Sequence, residues 1–313
     1  MDKQSKIILI SGPTASGKSI FAVKVAKKIN GEIINADSMQ VYKKLKILTA
    51  RPEKKEQKKI KHHMYGIVDL NRKFSTGQWL NLTIKIIKDI QKRKKVPILV
   101  GGTGLYFQAL INGLAKIPKI PVAVRNKVRL IQKKKGQKKF YKKLMTLDSN
   151  IKNRFDPNDV QRSIRAFEIK SYTKVSMFDW LNKTKSEFKD SDFLKLYINF
   201  NRDELVERIT LRTSKMIEEG AAKEVKKFIK LKIKKDHSIN KVIGIDELTQ
   251  YLKDKINIDK AKELISIKTR QYAKRQATWA RSRMVSWKKI NPVKINDYIK
   301  NLNKSSLKLD QLT

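Results

Sequence analysis

The 313-residue chain contains no cysteine. That excludes a disulfide framework, any cysteine-ligated zinc site and any thiol nucleophile, and it fits a reducing compartment. No apolar stretch is long enough to span a bilayer, and the apolar run within residues 1–10 is too short for a secretory leader. A cytoplasmic protein with no membrane partner is expected. Acidic residues are scarce: 29 Asp and Glu stand against 73 Lys and Arg, a formal charge of +44. Such a field attracts polyanions, nucleic acid first among them. Lys, Ile and Asn are abundant throughout while Arg is the rarer cation, so much of the lysine excess is solvated surface. No internal repeat is present.

The most informative segment that is present is Gly12-Pro13-Thr14-Ala15-Ser16-Gly17-Lys18-Ser19, which fits the Walker A phosphate-loop pattern at every fixed position. Before it, Ile7-Ile8-Leu9-Ile10 predicts a buried parallel strand, and residues 20–29 after it carry helical spacing. Amides along such a loop, with the N-terminus of the following helix, present N–H donors and partial positive charge to phosphate oxygens. Lys18 adds a full charge, and the Ser19 hydroxyl is the group to hold Mg²⁺. The loop alone fits NTPases, small-molecule kinases and transferases equally.

A second strand is expected at Glu32-Ile33-Ile34-Asn35-Ala36, ending on Asp37-Ser38. Carboxyl ends of strands in a doubly wound sheet border the ligand crevice, so Asp37 is expected to face the phosphate loop. A helix over Thr76–Lys92 leads into the strand Val96-Pro97-Ile98-Leu99-Val100 and the turn Gly101-Gly102-Thr103-Gly104. No acidic residue ends that strand, which argues against a hydrolytic ATPase. Thr103 there is either a hydroxyl donor to substrate or the N-cap of the next helix. His62 and His63 are adjacent and face different ways, so no zinc or other metal pair is expected of them.

From Lys116 the chain is Lys-rich, helical in pattern and poor in strand signals until Leu196-Tyr197-Ile198-Asn199-Phe200. The expected organisation is a core over residues 1–116, an inserted helical domain over 117–195, a second core part over 196–290 and a basic tail over 291–313. The fold class is α/β: a P-loop NTPase-like parallel sheet flanked by helices, with an all-helical insertion. After the insertion, Leu205, Ile209 and Met216 form an apolar helix stripe that contains Arg212. A guanidinium there needs an anion, either an internal carboxylate or a substrate phosphate.

Several segments, in order, resemble the bacterial tRNA dimethylallyltransferases of the IPP transferase family. They are the phosphate loop, Asp37-Ser38-Met39-Gln40-Val41-Tyr42, Thr49-Ala50-Arg51-Pro52, His62-His63 and Val100-Gly101-Gly102-Thr103-Gly104-Leu105-Tyr106, followed by Asn158-Asp159-Val160-Gln161-Arg162 and Thr269-Arg270-Gln271-Tyr272-Ala273-Lys274-Arg275-Gln276. The resemblance covers roughly residues 5–290. It implies transfer of a dimethylallyl group from dimethylallyl diphosphate to an adenine beside the anticodon, with Mg²⁺ as cofactor. It implies catalytic roles for Asp37, Thr103, Lys18 and Arg212. It further implies that a monomer grips the tRNA anticodon stem-loop through Asp37, Ser38, Met39, Gln40 and Thr103, through Gln161, Arg162, Ser163, Ile164 and Arg165 of the insertion, and through Lys241, Gln271 and Arg275. The chain departs from the family at Lys241-Val242-Ile243-Gly244-Ile245-Asp246-Glu247, where Ile245 and Asp246 replace an aromatic residue and a cation.

Overall fold

The computed structural model describes residues 6–53, 60–234 and 236–302. The chain separates into two compact units, one formed by Met1–Ala109 with Phe188–Thr313 and the other by Leu110–Glu187.

The first unit is built on a six-stranded sheet: β1 Ile7–Ser11, β2 Gly31–Asn35, β3 His62–His63, β4 Val96–Gly101, β5 Phe193–Ile198 and β6 Lys288–Ile290. The order is β3-β2-β4-β1-β5-β6, and every pairing is parallel. Strands β1, β2 and β4 are buried at every position, the environment that their unbroken apolar runs require when helices cover both faces. Ser11 pairs with both Gly101 and Tyr197, and Asn35 with Val100, so β1, β2, β4 and β5 end level with one another. The loops that follow emerge together at one edge. With β2 on one side of β1 and β5 on the other, this edge is a topological switch point, where ligands bind in such sheets.

Helix Lys18–Ile29 buries Phe21, Ala22, Val25, Ala26 and Ile29, one face at helical spacing, against Ile8, Ile10, Ile98 and Val100. Helix Thr76–Lys92 starts where expected, set by a capping box in which Gln78 N donates to Ser75 Oγ (3.2 Å) and Ser75 N to Gln78 Oε1 (2.9 Å). Its Trp79 is fully buried, stacks on Tyr106 at 4.2 Å and donates its indole N–H to Asn35 O at 2.9 Å, pinning the end of β2. Helices Arg202–Glu218 and Ile258–Arg283 complete the side of the sheet edge that bears the site.

Two boundaries differ from those the composition predicts. The helical unit spans Leu110–Glu187 rather than 117–195, and β5 opens at Phe193 rather than at Leu196, because Phe193 and Leu194 already pair with Ile7 and Ile8. Nor is 291–313 a polar tail throughout. Helix Ile295–Lys300 lays Tyr298 6.0 Å from the Phe21 ring and leads into buried Leu302, so the second core part extends to 302 rather than ending at 290. Ile295, Tyr298, Ile299 and Leu302 recur at helical spacing, an apolar stripe hidden among lysines and asparagines. Residues 303–313 lie outside the described residues.

The second unit is all-helical. Helix Val122–Leu147, interrupted at Gly136 (φ +69°), is followed by Val160–Thr173 and Met177–Asn182. Its own core is Val128, Phe140, Tyr141, Leu144, Ile151, Ala166 and Phe167, with the Phe140 and Phe167 rings stacked at 5.1 Å. Among the described residues no helix is long and apolar enough to cross a membrane.

Candidate active site

The phosphate loop turns sharply between β1 and the first helix, with Ala15 (φ +64°) and Gly17 (φ +79°) in the left-handed region. Gly12 has no room for a side chain: a Cβ would lie 2.9 Å from Ser16 Oγ and 3.2 Å from Ile198. Lys18 curls back so that its ammonium donates to Pro13 O at 3.1 Å. Burial lowers the Lys18 pKa to about 8; the nearby Asp37 charge opposes this and Arg212 reinforces it.

Beside the loop, β2 ends in an Asx-type turn. Asp37 N donates to Asn35 Oδ1 (2.9 Å), while Asn35 Nδ2 donates to Asp37 O (3.0 Å) and Met64 O (3.1 Å). The Asp37 carboxylate accepts Met39 N (2.8 Å) and Gln40 N (3.4 Å) on Oδ1, and Oδ2 has no hydrogen bond among the described residues. Gln40 in turn donates to Thr49 O (2.7 Å) and Ala50 O (3.2 Å), and Glu224 holds that segment by accepting Ile47 N (3.1 Å) and Leu48 N (3.1 Å).

The Gly101-Gly102-Thr103-Gly104 turn abuts this carboxylate segment. A Cβ on Gly101 would lie 2.1 Å from Ala36 O, and Thr103 N donates to Ala36 O at 3.2 Å. The Thr103 hydroxyl accepts Ser38 N (3.0 Å) and lies 3.3 Å from Ser38 Oγ. It therefore binds the Asp37 segment and does not cap its own helix.

Helix Arg202–Glu218 closes the opposite wall. Leu205, Ile209, Thr213 and Met216 are buried, and Arg212 reaches from the same face to donate to Thr14 Oγ1 at 2.9 Å. No carboxylate lies within ion-pair distance of Arg212 among the described residues, and the internal anion that acts on it is Asp37, across the same cleft. Burial lowers the Arg212 pKa, opposed by Asp37. Arg208, one turn earlier, donates Nε to Ala15 O (2.9 Å) with its guanidinium 4.9 Å from the Phe200 ring. Sequence reading missed Arg208, although its i−4 relation to Arg212 is the signal that could have found it. It also missed a role for Gln276, whose amide reaches both the phosphate loop and Gly102.

Together these elements line a cleft of about 1050 Å³ that contains Lys18, Ser19, Asp37, Ser38, Met39, Gln40, Arg212, Lys241, Tyr272 and Arg275. Seven Lys and Arg side chains, Lys18, Arg51, Arg208, Arg212, Lys215, Lys241 and Arg275, face two carboxylates, Asp37 and Glu53. This balance suits a ligand with several negative charges. Burial, then the Asp37 charge, push the Tyr272 hydroxyl up to about 12, so it stays a neutral donor.

The remaining expected site residues fall elsewhere. Gln271 is exposed on helix Ile258–Arg283, outside the cleft lining. In the helical unit, Gln161, Arg162 and Arg165 are exposed on helix Val160–Thr173. Ser163 is a correction: it is fully buried, donating to Asp159 O (2.7 Å) and accepting Gln137 Nε2 (3.0 Å), so its hydroxyl serves the unit's interior. Ile164 packs against that unit's core. At the departure from the family pattern, Ile245 is a core residue, and Lys268 pairs with Asp246 (3.6 Å) and with buried Glu247, whose Oε2 accepts Gly244 N at 2.9 Å. His63 hydrogen-bonds Glu32 Oε2 at 2.8 Å, and His62 Nδ1 lies 2.6 Å from Ile60 O.

The IPP transferase family model matches residues 40–283. A tRNA dimethylallyltransferase of Pelagibacter ubique (strain HTCC1062) is 77% identical over 313 residues, 100% of both chains, and so extends the match over the phosphate loop and Asp37. The tRNA dimethylallyltransferase of Allorhizobium ampelinum is 38% identical over 294 residues, 93% of this chain and 97% of the relative. Among solved structures, a eukaryotic dimethylallyltransferase described as acting on tRNA superposes with a TM-score of 0.82 at 29% identity, over 96% of this chain and 77% of that one. The tRNA delta(2)-isopentenylpyrophosphate transferase of Staphylococcus epidermidis gives 0.66 at 33% identity, over 94% and 96%. A phosphate loop, a carboxylate and two partly buried cations in one cleft thus accompany a match that spans core and insertion alike: the chain belongs to the IPP transferase family.

Proposed function

We propose that the chain transfers a dimethylallyl group from dimethylallyl diphosphate to the exocyclic N6 of the adenosine immediately 3′ of the anticodon in tRNA, releasing diphosphate. The observation that carries this reading is the cleft itself, where Oδ2 of Asp37, free of hydrogen bonds, shares one space with the cations Lys18 and Arg212. The relatives' names and the structural likeness to a dimethylallyltransferase acting on tRNA support it.

The exocyclic amine is a poor nucleophile because its lone pair is delocalised into the ring. Asp37 removes a proton from it as the N–C bond forms. The C–O bond breaks at the same carbon, and its electron pair leaves on diphosphate. Lys18, the loop amides and Arg212 meet that charge where it develops. Thr103, which the family resemblance makes a donor to the bridging oxygen, is not among the residues that line the cleft; its hydroxyl engages Ser38 N and Ser38 Oγ, so the part assigned to it here is to hold Ser38 beside Asp37. Ser19, next to Lys18 in the phosphate loop, lines the cleft, and its hydroxyl is the protein oxygen that would hold Mg²⁺ there. Mg²⁺ is commonly held by one or two protein oxygens together with substrate phosphates, and when bound here it would supply further charge against the leaving group.

The test is incubation with tRNA and dimethylallyl diphosphate labelled in the prenyl carbons, followed by digestion to nucleosides. Label is expected in N6-isopentenyladenosine alone. Label on another nucleoside, or none on tRNA, overturns the reading.

The exposed face of helix Val160–Thr173 is the proposed reader of the anticodon loop. Unpaired loop bases can be splayed out and read on their edges, whereas lysine contacts to phosphates add affinity without sequence information. Gln161→Ala and Arg165→Ala should therefore each narrow the affinity gap between a cognate stem-loop and one with altered flanking bases, by about 1–3 kcal/mol if each reads a base edge. Neutralising several surface lysines should weaken both stem-loops equally and flatten the salt dependence. Filter binding across a salt series distinguishes the two. Equal losses for both stem-loops in the Gln161 and Arg165 variants would mean that this face grips backbone.

A further inference from the structure

We infer that Gln276 is a positioning residue that sets the separation between the diphosphate loop and the turn bearing Thr103, an inference that rests on the transfer reaction proposed above. Its side-chain amide accepts Thr14 N at 2.8 Å and donates to Gly102 O at 3.0 Å. These two partners belong to different strands' loops, one following β1 and the other following β4. The site's two halves are thus joined by one side chain from helix Ile258–Arg283.

Three features give this link its weight. Thr14 is held from both sides, its amide by Gln276 and its hydroxyl by Arg212 at 2.9 Å. Gly102 can only be glycine while Gln276 is in place, since a Cβ there would lie 2.1 Å from Nε2. One turn along the same helix, Trp279 lies where a Cβ on Gly104 would come within 2.5 Å of its ring, so the helix meets this turn at two points of close approach. From Gly102 the connection passes through the next residue, Thr103, to Ser38 by the 3.0 Å bond, and Ser38 adjoins Asp37. A neutral amide fills both roles at every working pH, whereas an ionised carboxylate accepts but cannot donate, and an ammonium donates but cannot accept.

Positioning errors of about 1 Å are enough to cost on the order of a hundredfold in rate when reacting groups must be aligned. Gln276→Ala should lower kcat by about 10–100-fold while the KM for dimethylallyl diphosphate changes less than about threefold, because the charges that bind diphosphate remain. Gln276→Glu gives the sharper readout. Protonated, its carboxyl group both accepts from Thr14 N and donates to Gly102 O; ionised, it only accepts. The ratio of the Gln276→Glu rate to the wild-type rate should therefore rise as pH falls into the carboxylic acid range. Amide exchange over residues 12–17 should also quicken in Gln276→Ala, in wild-type-like folds verified by melting temperature. A Gln276→Ala kcat within twofold of wild type, or a rate loss that follows melting temperature with a pH-independent Gln276→Glu ratio, would overturn the inference. Wild-type protein that transfers no prenyl group would defeat the reaction proposed above instead; loop exchange would then decide the link alone, unchanged protection in Gln276→Ala overturning it and lost protection upholding it.

Discussion

Asp37→Ala is expected to lose between about a hundredfold and ten-thousandfold in single-turnover transfer, the range typical of removing a general base, while tRNA affinity stays within about tenfold because phosphate contacts dominate binding. The structure adds a control. Oδ1 of Asp37 organises the following turn by accepting Met39 N and Gln40 N, so the alanine variant loses the turn's anchor along with the base. Asp37→Asn keeps an acceptor oxygen for those amides and removes the basicity. The two variants should be equally slow in chemistry, and only alanine should weaken the contacts of Ser38, Met39 and Gln40. Rapid-quench measurement with saturating tRNA and dimethylallyl diphosphate separates these effects. Near-normal chemistry in Asp37→Asn would remove Asp37 from the role of base.

The second large effect is expected at the cations. Lys18→Ala and Arg212→Ala should each slow transfer by about a hundredfold or more, since each removes preorganised charge from the proposed diphosphate site. Their effects on stability should differ from those of ordinary core substitutions. Arg212 is a partly buried cation with no carboxylate in ion-pair contact among the described residues, held through Thr14 Oγ1 and opposed in its desolvation only by the Asp37 charge, so it stays in the fold at a desolvation cost. The Arg212→Ala melting temperature should therefore match or exceed that of wild type. A lowered melting temperature with normal kinetics would make Arg212 a structural residue. For Lys18 the pH profile is diagnostic. The protonated ammonium is the useful form, and burial has lowered its pKa to about 8, so kcat/KM, which reports the free enzyme, should be level below that pH and fall as pH rises through it. Bound diphosphate favours the charged ammonium, so the corresponding limb in kcat should lie at higher pH. An identical limb in Lys18→Ala would assign it to another group.

Helix and strand positions in the core were legible because local pattern and tertiary role coincide there. The run from Ile7 to Ile10 is apolar without interruption because β1 is covered on both faces, and the phosphate loop is tied to its function by backbone geometry that few residue types allow. Arg212 was legible as a cation on an apolar stripe. The C-terminal helix was not, because four apolar residues between 295 and 302 are too few to outweigh their polar neighbours by composition. Ser163 was misjudged for the complementary reason. A small polar residue between Gln161, Arg162 and Arg165 reads as surface, whereas on helix Val160–Thr173 it falls on the buried face beside Ala166 and Phe167.

What the sequence determined by itself was the inventory of chemistry: a loop for phosphates, a carboxylate at a strand end, a threonine after glycines and a strong positive charge. Each of these is encoded within a few consecutive residues, where short-range backbone sterics and charge decide the outcome. Tertiary structure alone decided how they meet. Thr14 and Gln276 are 262 residues apart, and Thr14 and Arg212 are 198 apart, yet both pairs are within hydrogen-bond distance. Those contacts exist because parallel strands end in register at one edge of the sheet, and because two long helices pack across that edge. Parallel pairing and helix packing are set by the burial of whole faces, a property summed over many residues, and no short motif records it.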